Sequence, residues 1–503
     1  MKIPDTIQIR EADAYTIENE PIASVDLMER AATAVFKRIL PKLTPVQQIH
    51  VIAGMGNNGG DGLVLARLLL QQGFLVQIYI LSIVEKGSPD FEINLTRLKQ
   101  LSNSEIHLIA NESDFPLFSP DDMVIDAIFG SGLNKPVSGL VAGLINAINK
   151  SSTVVIAIDI PSGLFADKAV DTKNDVVIHA DYTYTFETPK LAFLFPENEF
   201  FVGLWEVVPI GLLPEFMNSL PVKNNILNDN LICNLIHSRR KFSHKGSFGH
   251  ALLIAGSSGK YGAAILAAES CMRSGVGLLH AHLPKCAQLP LQIRIPEAMI
   301  SEDISETHFS QLPDLSGYNA IGAGPGLGMQ EDTCKALKLL IQNSTVPMVL
   351  DADALNILSE NKTWMAFLPF ESILTPHPKE FERLAGKWTD SFERLEMQRQ
   401  LSIRNKVYIV LKGAHTTITT PSGDCWFNST GNPGMATGGS GDVLTGIILG
   451  LLAQNYAPLH AALIGVYLHG RAGDLGIAEV GVEGLIASDI TRMIGKAFLS
   501  LRQ

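Results

Sequence analysis

The feature that most constrains the fold is an apolar run that gives way, with no spacer, to a glycine-rich loop and then a helical pattern. Residues 49–54 (IHVIAG) have the character of a buried strand, Gly54-Met55-Gly56-Asn57-Asn58-Gly59-Gly60-Asp61-Gly62 follows, and residues 60–72 carry Leu63, Ala66, Arg67 and Leu70 at helical spacing. Strand, tight loop and helix in that order form the repeating unit of a parallel sheet covered on both faces. The alternation continues, with strands expected at 74–81, 123–129 and 153–159, a helix near 141–149, and edge strands at 182–186 and 205–208. Residues 10–40 read as helices packed outside that sheet.

The pattern stops at residues 210–230 (IGLLPEFMNSLPVKNNILNDN), which have prolines, asparagines and no period. It restarts with a basic, glycine-containing loop at 241–249. Strands are expected at 250–255, 277–283, 320–322, 348–351, 373–375 and 407–412, a small-residue helix at 262–274, a hairpin at 416–428, and long helices from Gly441 onward. A chain of 503 residues is too long for one core. The expected organisation is a domain over 1–214, a linker over 215–230 and a second, larger α/β domain over 231–503.

The formal net charge of −12 argues against nucleic acid or an anionic membrane as the main partner. An anionic nucleotide must therefore be held by local donors. Cys233, Cys271, Cys286, Cys334 and Cys425 form no C-x-x-C pair and read as reduced structural thiols, which fits a cytoplasmic protein. The opening MKIPDTIQIREAD has no apolar core, so no signal peptide is expected, and the apolar stretch near 443–453 is too short to span a membrane.

In the first half, the glycines of the 54–62 loop free backbone N–H groups for an anion, and the helix start adds its positive dipole end. Two other strand ends are unusually polar: Asp126 to Leu133 (DAIFGSGL) and Asp159 to Leu164 (DIPSGL). In a doubly wound sheet such ends meet in one crevice, where Asn58, Asp126 and Ser162 offer hard oxygen ligands to one cation. The competing reading is that each aspartate merely caps a turn. In the second half, Asn432 to Leu444 (NPGMATGGSGDVL) ends a loop and opens a helix. Phosphoryl transfer needs donors for developing phosphate charge and a base for the attacking hydroxyl; the glycine-rich amides supply the first and Asp442 the second. Lone candidates are weaker: Lys190 reads more readily as a surface lysine, and His244 and His250 bracket a glycine loop without a stated role.

The first half resembles the NAD(P)H-hydrate epimerases in the stretches LMERA (27–31), NNGGDGLV (57–64), DAIFGSGL, DIPSGL and ADYTYTF (180–186), followed by Lys190, over residues 10–212. Ala32 stands where that family usually has glycine. The resemblance implies a Rossmann-like three-layer domain that binds the hydrated nicotinamide nucleotide and potassium. Asn58, Asp126 and Ser162 would hold the ion. Asn57, Asn58, Gly59, Gly60, Asp61, Gly130, Ser131, Gly132, Leu133, Asn134, Lys135, Pro136 and Asp159 would line the substrate, with Asp159 as the proton-transfer group.

The second half resembles the ribokinase-like superfamily and, within it, the ADP-dependent NAD(P)H-hydrate dehydratases. The matching stretches include KGSFG (245–249), GAAILAA (262–268), GAGPGLG (322–328), DADAL (351–355), TPHP (375–378), Glu380 and KGAHT (412–416). This implies a ribokinase-like α/β domain in which Ala263, Gly326, His377 and Asp442 contact the hydrated cofactor. Lys412, Gly413, Ala414, His415, Thr416 and Gly441 would contact ADP or AMP. Lys379 replaces a usual glycine beside His377, and Glu380 would orient magnesium through water. Together the two resemblances imply a bifunctional repair enzyme: epimerisation of the R and S hydrates, then ADP-dependent dehydration of the S hydrate with release of AMP and phosphate. A homo-oligomer with no nucleic-acid or membrane partner is expected. An ATP-dependent kinase for a small alcohol and a non-catalytic nucleotide sensor are the alternatives. The first leaves residues 10–212 unexplained; the second leaves Asp159 and Asp442 without a task.

Overall fold

A strand buried on both faces needs an apolar residue at nearly every position. In a computed structural model of the protein, which describes residues 1–101 and 105–502, the run at 49–54 becomes β1 (Gln48–Ala53). It shares a seven-stranded sheet with β2 (Leu75–Leu81), β3 (Glu105–Ile109), β4 (Met123–Ala127), β5 (Val154–Ile158), β6 (Tyr182–Phe186) and β7 (Leu204–Val208). The order is β3-β2-β1-β4-β5-β6-β7, and every neighbouring pair is parallel. Ile49, Val51 and Ala53 enter one core with Ile125, Ile156 and Leu65, whereas Ile52 enters another with Val124, Val155 and Leu144. One core lies on each face, which makes three layers. Strand order reverses between β1 and β4, so their carboxyl ends open the crevice where such sheets bind ligands.

Three expectations need correction here. β6 is internal, flanked by β5 and β7, and not an edge strand. Its threonines can be buried because their hydroxyls are bonded: Thr183 Oγ1 donates to Val202 O at 2.7 Å and Thr185 Oγ1 to the Asp159 carboxylate at 3.3 Å. β3 was not anticipated at all, because most of its residues face solvent. Finally, residues 215–230 are not a featureless linker. They contain a helix (Pro214–Ser219), a strand, β8 (Asn224–Ile226), and the start of a helix (Asp229–Leu235) whose cap Asn228 accepts from Leu231 N at 3.0 Å. The boundary between the two compact units falls between Val222 and Lys223.

The second unit is built on β8, β9 (His250–Ile254), β10 (Leu278–Leu283), β11 (Met299–Glu302), β12 (Ala320–Ala323), β13 (Met348–Leu350), β14 (Ile373–Leu374), β15 (Tyr408–Leu411), β16 (Thr417–Thr419) and β17 (Cys425–Phe427). Within this unit they lie in the order β8-β17-β16-β15-β14-β13-β12-β9-β10-β11, and β16 alone runs antiparallel to its neighbours. Ala251 and Leu253 pack on one face and Leu252 and Ile254 on the other. A helix at Tyr261–Arg273 lies against the glycine-loop helix Ser440–Ala453. A Cβ at Gly446 would sit 2.0 Å from Ala267 O, so only glycine permits that approach. The strand order again reverses beside β9, and the loops after β12, β13, β14 and β15 gather at one end of the sheet. All five cysteines are free, in agreement with the thiol reading.

Candidate active sites

In the first unit the crevice is a cavity of about 660 Å³. The β1 loop and the helix after it (Asn57–Gln71) contribute Asn57, Asn58 and Asp61; the β4 loop contributes Gly130, Ser131, Gly132, Leu133 and Asn134; the end of β5 contributes Asp159. Gly59, Gly60, Lys135 and Pro136 are not among the lining residues. The two glycines serve packing: a Cβ on Gly59 would lie 1.7 Å from Gly54 O, and one on Gly60 2.6 Å from Met28 Sδ.

Asp159 has φ +65°, a left-handed backbone uncommon for a residue with a side chain, at the turn that leaves β5. Its Oδ1 meets Lys190 Nζ at 2.8 Å and accepts from Phe186 N at 3.1 Å. Lys190 is 5% exposed, so it is no surface lysine; its charge is tolerable there because Asp159 pairs it. Beside this pair stand Asp61 and Asp13, the latter from the helix Thr6–Asn19 that covers the cavity. Burial, then the charge of Asp159, pushes the Asp13 carboxyl up to about 6 and that of Asp61 well above the ordinary carboxylate range. Neither Asp13 nor the role of Lys190 was legible in the motifs.

Asp126 and Ser162 are bonded to each other. Ser162 Oγ donates to Asp126 Oδ1 at 2.6 Å and Ser162 N to Oδ2 at 2.7 Å, with Ile128 N a further donor at 3.2 Å. Burial raises Asp126 to about 6 despite these bonds. Asn58 approaches from the first turn of the helix Asn57–Gln71, since a Cβ on Gly130 would lie 3.2 Å from Asn58 Cβ, and its buried Nδ2 has no partner among the described residues. The oxygens of Asp126 and Ser162 suit a monovalent cation, and Asn58 would add a third if its amide turns its oxygen inward, a turn that costs its unpartnered Nδ2 no hydrogen bond.

In the second unit, Gly439 opens the helix Ser440–Ala453 with φ +90°, and Asp442 stands in the first turn. Lys412 Nζ contacts Asp351 Oδ1 at 2.9 Å and Glu380 Oε2 at 3.9 Å, while Thr445 Oγ1 donates to Asp351 Oδ2 at 2.7 Å. Gly441 lies over this cluster; a Cβ there would be 3.2 Å from Lys412 Nζ. Burial, then Asp351, raises Asp442 to about 7, with Lys412 opposing. Burial disfavours the Lys412 charge, yet Asp351 and Glu380 prevail and raise its pKa. His377 caps the helix Pro378–Ala385, its Nδ1 accepting from Lys379 N at 3.1 Å and Glu380 N at 3.3 Å. Burial lowers its pKa, which favours the neutral ring that this acceptor role requires. Lys379 is exposed and contributes its backbone N–H to the cap.

Ala263 and Gly326 face one another, a Cβ on Gly326 lying 3.2 Å from that of Ala263. Gly413, Ala414, His415 and Thr416 form the turn after β15, closed by Thr416 Oγ1 donating to Gly413 O at 3.0 Å. Sequence motifs marked Asp351 but gave it no partner; its bonds to Lys412 and Thr445 appear only in the fold. His250 is bonded to His280 at 3.0 Å on β9 and β10.

These two units define a class: an α/β enzyme with one nucleotide-type crevice holding a buried aspartate–lysine pair and a second holding a glycine-loop aspartate. Comparison with known proteins narrows it. A family described as NAD(P)H-hydrate dehydratase matches residues 251–496, and one described as YjeF-related protein N-terminus matches residues 24–192. The bifunctional NAD(P)H-hydrate repair enzyme of Moorella thermoacetica is 34% identical, the match covering 97% of this chain and 95% of the relative. That of Escherichia coli is 33% identical over 97% and 93%. An ADP/ATP-dependent NAD(P)H-hydrate dehydratase from Bacillus subtilis, co-crystallised with ATP and Mg2+, is 33% identical with a TM-score of 0.48, covering 55% of this chain and 98% of that one. The chain belongs to the family of bifunctional NAD(P)H-hydrate repair enzymes.

Proposed function

We propose that the first unit interconverts the R and S hydrates of NADH and NADPH, and that the second dehydrates the S hydrate at the expense of ADP. The observation that carries this reading is Asp442, a carboxyl raised to about 7 at the mouth of a glycine-rich loop and beside the Lys412–Asp351 pair. A base poised near neutrality suits removal of the proton from the hydrate's ring hydroxyl. The hydroxyl oxygen then attacks the β-phosphorus of ADP, and AMP leaves. The phosphate so installed departs with its electron pair, a ring proton is lost, and the dihydronicotinamide is restored. Lys412 supplies positive charge, and the backbone amides around Gly441 supply donors, for the phosphoryl oxygens. Ala263, Gly326 and His377 shape the hydrate's side of the site; Gly413, Ala414, His415 and Thr416 contact the nucleotide.

In the first unit, Asp159 exchanges the proton that equilibrates the epimers, with Lys190 fixing its position. Asn58, Asp126 and Ser162 would hold potassium, which supplies the positive charge that the buried Asp126 lacks. Among the described residues no three carboxylate, histidine or cysteine side chains converge as a metal cage. Glu380 already accepts from His377 N at 2.8 Å. Magnesium therefore arrives in this reading as the counter-ion of the ADP phosphates. No helix among the described residues is long and apolar enough to cross a membrane. Homo-oligomeric assembly and a cytoplasmic location complete the proposal, to be read by light scattering and cell fractionation. The test of the whole is incubation with hydrated NADH and ADP. Dihydronicotinamide absorbance should return with equal yields of AMP and phosphate; transfer of phosphate from ATP to a small alcohol with no return of absorbance would favour a kinase instead.

A further inference from the structure

We infer that Arg10 is a specificity residue of the epimerase cavity and grips a phosphate of the hydrated dinucleotide; this rests on the epimerase reading above. The ligand's pyrophosphate is anionic, yet the cavity wall is acidic: Asp13, Asp61, Asp159 and Glu187 all line it. Two cationic residues line the same wall, Arg10 and Lys190. Lys190 is committed to Asp159 at 2.8 Å and lies at the buried end. Arg10 is exposed on the covering helix Thr6–Asn19, and among the described residues no ion pair or hydrogen bond engages its guanidinium.

Its position is specific. A Cβ built on Gly132 would lie 2.6 Å from an Arg10 terminal nitrogen, so the guanidinium rests against the backbone of the β4 loop. That loop brings Gly130, Ser131 and Gly132 to the cavity, and Gly132 has no side chain to keep the guanidinium off its backbone. A planar fork of donors beside a glycine loop matches the oxygens of a phosphate and is preorganised for bidentate contact. Asp13, one turn further along the same helix, also lines the cavity, but among the ion pairs of the described residues none joins it to Arg10. Arg10 therefore offsets the acidic wall at the mouth, while the Asp159–Lys190 pair operates at depth.

The test is steady-state kinetics on the full chain with purified R hydrates of NADH and NADPH, ADP in excess. Arg10→Ala should raise KM for the R hydrate by at least about tenfold with kcat near wild type. Arg10→Lys should recover part of the loss, and Arg10→Glu should exceed it. Turnover of the S hydrate by the second unit should be unchanged, and a kcat for the R hydrate near wild type together with an unchanged melting profile shows that the first unit is folded. A loss shared by both hydrates assigns Arg10 to the pyrophosphate; one confined to the NADPH form assigns it to the 2′-phosphate; either supports the inference. An unchanged KM for both, or a fall in kcat alone, overturns it while leaving the epimerase reading intact. A wild-type chain unable to use either R hydrate overturns both.

Discussion

Asp442 and Asp126 are both carboxyls raised by burial, and their surroundings give them different work. Asp442 acts ionised, so its raised pKa of about 7 sets the pH at which dehydration begins to fail. Turnover of the S hydrate under limiting substrate should rise with pH and level off above about 7; a rate flat across that range would exclude it as the base. Asp442→Asn should lower dehydration by about 10²–10⁴-fold and leave epimerisation intact, which chromatography of the epimers would show. Asp126 shares its oxygens with Ser162, and Asn58, beside Gly130 of the β4 loop, leaves its Nδ2 without a partner among the described residues. Asp126→Ala should weaken the dependence of epimerisation on potassium. A wild-type rate unaffected by replacing every monovalent cation with a bulky organic one would contradict the ion's role. These residues were legible because each sits in a polar motif at a strand or helix end. Lys190 stands out in the sequence without a role, and Asp13 and Arg10 do not stand out at all, because what makes them functional is a partner brought from a distant strand end or loop, and no local pattern encodes that.

At the scale of elements, the strand–loop–helix units were readable because β1, β4 and β5 are apolar on both faces, which leaves little choice of structure. What escaped the reading had weaker physical signatures. β6 carries buried threonines whose hydroxyls find partners across the fold. β3 faces solvent along most of its length, and β8 has only three residues, too few for a period. The loop glycines illustrate the same limit. Gly59 reads as a ligand contact in the motif, yet its place is against Gly54 O. Gly59→Ala should therefore destabilise the first unit by about 1–3 kcal/mol or more, lowering its unfolding temperature and epimerisation while dehydration persists. An alanine variant with the wild-type melting profile would return Gly59 to the ligand.

At the scale of the whole molecule, the two sites lie in separate compact units, with the boundary between Val222 and Lys223. Expressed separately as 1–222 and 223–503, the halves should each unfold cooperatively and keep one activity. A cut after β8 should fail, because that strand pairs with β17 in the second sheet. Insolubility of both halves divided at Val222 would contradict the partition. The need for both units follows from stereochemistry. A fixed pocket around His377 and Asp442 can align one epimer's hydroxyl with the ADP β-phosphate, and about 1 Å of misplacement can cost about 10²-fold. The most direct measurement is absorbance recovery from an R and S mixture with excess ADP, alongside chromatography of both epimers. The wild-type chain should recover the mixture in one fast phase. Asp159→Ala should give two phases, a fast one equal to the S fraction and a slow one limited by spontaneous epimerisation, with the same final yield. Consumption of both epimers by Asp159→Ala at wild-type rates would contradict the account.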